Sequence, residues 1–379
     1  MQFVSKLFSV QYLRTGFIYQ FIPITFFWMP LLFSQTGLAQ TATQPQPVTP
    51  AETSRASRAS CVELKSFYSK SLGLKKNYNI YLPAGYRESI DRYPVVYFLR
   101  GHEREWFNPS EDASRQGRTL KDVADSLIAS GITGKMILVA PSTASDDNQV
   151  PALGVNFLRP DLTVAAGIGT GKFEDYLAKD LIGEIDKTYR TIPGRRHRGI
   201  DGFSLGGYTA VMMGVKHPEL FSSVGSYDGT QMWQDLRDPR RPELPAPNDL
   251  TWLNTMFDAA FDSARNIAYM NRYNAANLIL AASKLKLAAI RNVQFHIHAA
   301  AFDGDKGNID RNRHIVEILA EKNISNSFTD IKLTPTATHD WFHANLHAAE
   351  SLQKHWQTFE SHAPKKRGRL LQKMFLFKK

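Results

Sequence analysis

Short apolar runs alternate with amphipathic stretches from about Val62 to about Ser361. Tyr78 to Leu82 has a strand pattern. Val95-Val96-Tyr97-Phe98-Leu99 is a continuous apolar run behind Pro94, as expected of a strand covered on both faces. Met136 to Ala140 repeats that pattern and stops at Pro141. Leu120 to Ala129 has helical spacing. In Phe173 to Tyr189, the residues Tyr176, Leu177, Leu181, Ile185 and Tyr189 share one helical face. Further along, Gly199 to Phe203, Ser222 to Ser226, Val293 to Ala300 and Phe328 to Leu333 read as strands. Leu205 to Lys216, Arg311 to Lys322 and His343 to Phe359 read as helices. This alternation predicts a mostly parallel sheet with helices on both faces and right-handed crossovers.

The stretch from about Thr230 to Arg291 breaks the rhythm. It opens with Asp238-Pro239-Arg240-Arg241-Pro242, continues with helical pattern, and is too long for a simple connection. It is expected to be a cap insertion over the C-terminal edge of the sheet that shapes a pocket; packing decoration is the alternative.

The two ends have a different composition. Lys6 and Arg14, an apolar stretch from Phe17 to Phe33, and the small residues of Gly37-Leu38-Ala39 predict a signal peptide over residues 1–39. The alternative is an uncleaved membrane anchor, although the stretch contains Gln20, Pro23 and Pro30 and is short for a spanning helix. Either way the folded part is expected outside the cytoplasm, secreted or periplasmic, with no membrane span left after cleavage. Residues 40–60 read as a flexible linker rich in Thr, Gln, Pro, Ser and Ala, and residues 362–379 as a basic tail. The net charge of +10 lies largely in such runs, which points to a solvated tail and not to a nucleic-acid partner. With 43% hydrophobic and 22% charged residues, wholly disordered and collagen-like classes are excluded for the bulk of the chain. The one cysteine, Cys61, excludes an intrachain disulfide.

The chemistry centres on Gly202-Phe203-Ser204-Leu205-Gly206, a G-x-S-x-G motif where a strand gives way to a helix. Glycine on each side of the serine removes side chains that would clash as the chain folds back. The hydroxyl is thereby presented beside a helix N-terminus. This context predicts the α/β-hydrolase fold with Ser204 as nucleophile. A serine hydroxyl needs a general base, and in this fold the order is Ser, acid, His. Of the late histidines, His339 follows a predicted strand and precedes a helix. His343 and His347 lie on that helix and read as surface or packing residues. The acid is sought in Phe302-Asp303-Gly304-Asp305. Asp305 is preferred, Asp303 competes and Asp310 is a more distant choice. For the oxyanion hole, the N–H of Leu205 and that of His102, in Arg100-Gly101-His102, are the candidates. Gly167 to Lys172 only superficially resembles a phosphate loop, and His296-Ile297-His298 reads as packing.

Several stretches resemble the putative-esterase family of α/β hydrolases, which includes feruloyl and acetyl xylan esterases, S-formylglutathione hydrolases, enterochelin esterases and mycolyltransferases. They are Tyr81 to Tyr86, Tyr93 to Gly101, Gly202 to Tyr208, His217 to Phe221 and Thr338 to Trp341. The resemblance runs from about Cys61 to about Phe359. It departs at Arg100-Gly101, where the family has His-Gly or Asp-Gly. It departs again near the acid, where the family's G-x-x-D reads Phe302-Asp303-Gly304-Asp305; that spacing carries the acid to Asp305.

The resemblance implies a serine carboxylic ester hydrolase acting through an acyl-enzyme on a small-molecule or carbohydrate-linked ester, with no metal or cofactor. An acyltransferase of the mycolyltransferase type would use the same residues. Two readings from other classes are a non-catalytic binding protein on a hydrolase scaffold and an envelope-anchored surface protein.

Overall fold

A computed structural model describes residues 58–304, 307–329 and 335–362. The expected signal peptide, the linker as far as residue 57 and the basic tail from residue 363 lie outside the described residues, as does Asp305.

The strand β3 (Val95–Leu99) shows why the apolar runs become the centre of the sheet. All five residues are buried. Val95, Tyr97 and Leu99 enter one hydrophobic cluster, while Val96 and Phe98 enter the other on the opposite face. Around it stand β1 (Cys61–Ser69), β2 (Leu74–Leu82), β4 (Ile137–Pro141), β5 (Arg198–Gly202), β6 (Ser223–Tyr227), β7 (Gln294–His298) and β8 (Asn326–Thr329). The eight strands run in the order β1-β2-β4-β3-β5-β6-β7-β8. β2 is antiparallel to both β1 and β4, and the remaining pairs are parallel. The expected sheet is thus observed, with an antiparallel edge. The edge strand β1 was not read from the pattern. Its residues are mostly half-buried or exposed, so no clean alternation marks it.

Helix α1 (Leu120–Ala129) starts with a capping box in which Thr119 and Asp122 exchange bonds. Helix α2 is an α-helical turn (Phe173–Asp175), a π-wound stretch (Tyr176–Leu181) and a second α segment (Ile182–Thr188). Helix α3 (Leu205–Lys216) is buried over almost its whole length between sheet and cap. The cap carries four short helices, α4 (Asp258–Phe261), α5 (Ile267–Asn271), α6 (Ala275–Leu280) and α7 (Lys284–Ile290). Trp252 anchors it by packing on Tyr208 of α3 at 4.6 Å between ring centres. Helices α8 (Asn308–Glu321) and α9 (Trp341–Ser361) complete the layers. No helix among the described residues is long and apolar enough to cross a membrane.

Candidate active site

At the end of β5 the chain turns sharply into α3. Ser204 sits in that turn at φ 59° and ψ −121°, a conformation disfavoured for a residue with a side chain. The turn is possible because the positions two before and two after the serine are glycine. A Cβ on Gly202 would lie 2.3 Å from the Gly206 backbone, and one on Gly206 would lie 2.0 Å from the Leu99 carbonyl oxygen. The neighbouring strand holds the turn: the Ser204 N–H donates to the Tyr227 carbonyl at 3.0 Å, and the Ser204 carbonyl accepts the Thr230 N–H at 3.2 Å. Ser204 is 7% exposed and lines a pocket of about 320 Å³ with Leu205, Thr230, Asn308 and the cap residues Thr251, Asn254, Met256 and Phe257. The cap therefore does shape the cavity that opens on the serine.

His339 sits in the short loop leading into α9. Its N–H donates to the Phe302 carbonyl at 3.3 Å, and the next residue, Asp340, caps the helix by accepting the His343 N–H at 2.9 Å. The imidazole lies against the ring of Phe203, the residue before the serine, at 4.7 Å between ring centres. Its Nδ1 is bonded to Oδ2 of Asp228. Asp228 directly follows β6 and is fully buried. Three groups besides His339 fix it. Its own N–H donates to the His298 carbonyl at 2.8 Å, its Oδ1 accepts the Ala300 N–H at 3.1 Å, and its Oδ2 accepts the Asn308 amide at 3.3 Å. With Nδ1 so engaged, Nε2 is the imidazole atom left to exchange a proton.

The carboxylate on the histidine thus follows β6, one strand earlier than the loop in which Asp305 and Asp303 were expected to supply it. Asp303 is buried in that loop and accepts the Asn308 N–H, while Asp310 lies in the first turn of α8 and pairs with Arg313 at 3.6 Å. The signal for Asp228 was an acid directly between a buried strand and Gly229, in Ser226-Tyr227-Asp228-Gly229.

Of the two oxyanion candidates, Leu205 opens α3, where the first N–H groups have no partner within the helix. The His102 N–H is engaged. It donates to Oε2 of Glu105 at 2.9 Å, as the Gly101 N–H does at 2.7 Å, because the chain folds back after β3 and brings that carboxylate under its own backbone. The His102 ring lies between Glu103 at 2.7 Å and the Asp146 carbonyl at 3.2 Å, and the Glu103 carboxylate raises its pKa.

A second grouping of Ser, His and Asp lies deeper. Asp201 of β5 is bonded to Ser351, to His347 Nε2 at 3.0 Å and to His355 Nε2 at 3.2 Å, all from α9. Burial pushes the Asp201 carboxyl up, and the charge and hydrogen bonds of the two imidazoles outweigh it, so its pKa falls well below the usual range. All four side chains are completely buried or nearly so, and the Ser351 hydroxyl donates its hydrogen bond directly to the carboxylate with no imidazole between them. This set fastens α9 to the nucleophile strand and presents no serine to a substrate. His343 is half-buried on Asp340 and Thr338, and His296 and His298 pack against His355 and His347. Among the described residues no group of three or more metal-binding side chains is placed to hold an ion.

The fold, the strained serine at its strand–helix turn and the His339–Asp228 pair are those of a serine hydrolase of the α/β-hydrolase class. The sequence profile of the family described as "Putative esterase" matches residues 69–304, and the chain belongs to that family. An endo-1,4-beta-xylanase/feruloyl esterase of Xylanibacter ruminicola is 28% identical over 184 residues, which cover 47% of this chain and 23% of that protein. The chain thus matches about a quarter of that relative's length. Among solved structures, a ferulic acid esterase superposes with a TM-score of 0.59 at 21% identity, covering 79% of this chain and 99% of that one. An S-formylglutathione hydrolase from Agrobacterium tumefaciens superposes with a TM-score of 0.56 at 18% identity, covering 80% and 96%. At those identities the structural likeness speaks for the fold.

Proposed function

We propose that this chain is a secreted or periplasmic carboxylic ester hydrolase in which Ser204 attacks the acyl carbon. His339 takes the serine proton through Nε2 and returns it to the leaving alcohol. Asp228 holds the imidazole tautomer and stabilises the imidazolium. The Leu205 N–H, at the positive end of α3, donates to the oxyanion. Water then enters through the same histidine and releases the acid.

The observation that carries this reading is the strained serine of the β5–α3 turn, which opens into a pocket, together with an imidazole that rests on the adjoining Phe203 ring and is held by a buried carboxylate. The pocket of about 320 Å³ suits a single acyl group, and its floor mixes Met256 and Phe257 with Thr230, Thr251 and Asn254. The feruloyl-esterase activity in the name of the Xylanibacter ruminicola relative supports a carbohydrate-linked ester as substrate. The secretory pattern of residues 1–39 supports action outside the cytoplasm, where such esters occur.

The test is labelling of the purified protein with a fluorophosphonate, followed by a screen of acyl esters. Wild type is expected to label at one site, and Ser204→Ala and His339→Ala to abolish labelling. Folded wild-type protein that takes up no probe would overturn the proposal.

A further inference from the structure

Arg100 stands at the C-terminal end of β3 with its guanidinium carbon 5.2 Å from the centre of the Phe203 ring. The same ring carries the His339 imidazole at 4.7 Å. Arg100 is half-buried, its Nε is buried without a hydrogen-bond partner, and among the described residues no carboxylate lies within ion-pair distance of it. Arg115, buried and likewise without a carboxylate partner among the described residues, is held by the Glu105 carbonyl and the Trp341 ring, and three other buried arginines are paired. Arg198 is paired with Asp186 at 2.6 Å, Arg311 with Asp249 at 2.6 Å, and Arg265 with Asp258 at 2.7 Å. Even the exposed Arg104 holds Glu111 at 2.8 Å.

The acids closest in the chain are already committed. Glu105 accepts the N–H groups of Gly101 and His102 and, at 3.3 Å, the Asn148 amide, while Glu103 faces His102. The backbone of Arg100 is fixed, because its carbonyl accepts the Thr143 hydroxyl at 3.1 Å. A half-desolvated cation on a rigid support, with no carboxylate within ion-pair distance among the described residues, has an incentive to take an anion from outside.

Which side of the substrate it meets follows from the proton path. This inference rests on the hydrolase reading, in which His339 delivers its proton to the leaving alcohol, so the alcohol lies over His339. Arg100 shares the Phe203 ring with that imidazole and is not among the residues lining the pocket that opens on Ser204. We propose that Arg100 is a specificity-determining residue that binds a carboxylate on the leaving-alcohol half of the ester, so that the preferred substrates are esters of acidic alcohols such as hydroxy acids or uronic-acid units. The single guanidinium matches a carboxylate through two parallel N–H bonds. A phosphate dianion would call for a second cation, and Arg115 is fully buried, donating to the Glu105 carbonyl at 2.6 Å.

The probes are 3-acetoxybenzoate and its uncharged counterpart 3-acetoxybenzamide, which share the acyl group and differ in one charge on the leaving phenol. In wild type kcat/KM is expected to favour the benzoate by about tenfold, mostly through KM. Arg100→Gln should bring the ratio to about one, and Arg100→Lys should restore part of it. The ratio is taken within one preparation, so a change in folded fraction does not move it. Protection of Ser204 from fluorophosphonate by 3-hydroxybenzoate against 3-hydroxybenzamide reads the same discrimination without turnover. A wild-type ratio near one, or a ratio that survives Arg100→Gln, would overturn the assignment while leaving the hydrolase reading intact. Folded wild type that neither labels nor cleaves either ester would overturn both.

Discussion

Asn308 donates its side-chain amide to both the carbonyl of Asp228, at 3.2 Å, and the carboxylate of Asp228, at 3.3 Å. The segment after β7 therefore reaches the site through the amide of the first residue of α8, beyond the loop where the acid was sought, and the carboxylate comes from the end of β6. On this geometry Asp228→Asn leaves the histidine without an anion and free to take the wrong tautomer. A fall in kcat of about 10³- to 10⁴-fold on an aryl acetate is expected, with little change in KM. Asp303→Asn and Asp305→Asn are expected to stay within about threefold of wild type, since neither carboxylate is needed on the imidazole. Steady-state kinetics on the three variants separates the β6 acid from the β7 acid: if Asp305→Asn were the inactive one, Asp228 would be a structural group.

The positive φ of Ser204 makes a second prediction. A residue with a Cβ at φ 59° and ψ −121° is strained by roughly 1–3 kcal/mol, and glycine is not. Ser204→Gly loses the nucleophile and relaxes the turn, at some cost in unfolded-chain entropy. Net stabilisation of about 1 kcal/mol is expected, raising Tm by about 2–4 °C. Calorimetry of Ser204→Gly beside Ser204→Ala tests it. The alanine variant keeps the strain and should melt with wild type.

Much of this architecture was legible because it rests on local rules. Val95–Leu99, Leu120–Ala129 and Leu205–Lys216 were read with the bounds observed, each being an apolar run or helical stripe with a clear stop. Ser204 was legible because the glycines around it are demanded by atoms 2.0 to 2.3 Å from any added Cβ. Asp228 was not, because two strands between Ser204 and His339 end in acidic loops and only the tertiary fold decides which carboxylate meets the imidazole. The Glu105 clamp on Gly101 and His102 escaped for a related reason: a carboxylate folding back onto N–H groups three and four residues earlier leaves no periodic trace. The Asp201 cluster joins residues 146 to 154 positions apart, beyond any local pattern.

That cluster separates two serines by experiment. Ser351 lies wholly buried on α9 and bonds Asp201, so Ser351→Ala should lose about 1 kcal/mol in urea unfolding and keep full fluorophosphonate labelling. Asp201→Asn removes the charge that both His347 and His355 address, and a loss of about 3 kcal/mol is expected. Because α9 begins two residues after His339, the folded fraction of Asp201→Asn should also label more slowly. Loss of labelling in Ser351→Ala with unchanged stability would make the buried serine the nucleophile and remove Ser204 from that role.

Glu174 gives the acid side of the stability profile. Its carboxylate, at the start of α2, accepts from His217 at 2.8 Å, Lys216 at 3.0 Å and the Tyr273 hydroxyl at 2.9 Å, so it joins the end of α3 to the cap. Burial raises its pKa, but these three donors outweigh burial and bring it down to about 2 from the ordinary 4.5. A carboxyl with a depressed folded-state pKa binds fewer protons in the folded chain than in the unfolded one. Its contribution is therefore complete above about pH 4.5 and is lost as pH falls towards about 2. Burial also lowers the Lys216 pKa, which discounts the pair, so the net contribution near neutrality is about 2 kcal/mol. Glu174→Gln should lower stability by that amount at pH 7 and lose less than wild type between pH 4.5 and 2. Urea unfolding of both proteins across that window checks it; parallel curves would show that another carboxylate sets the acid limit.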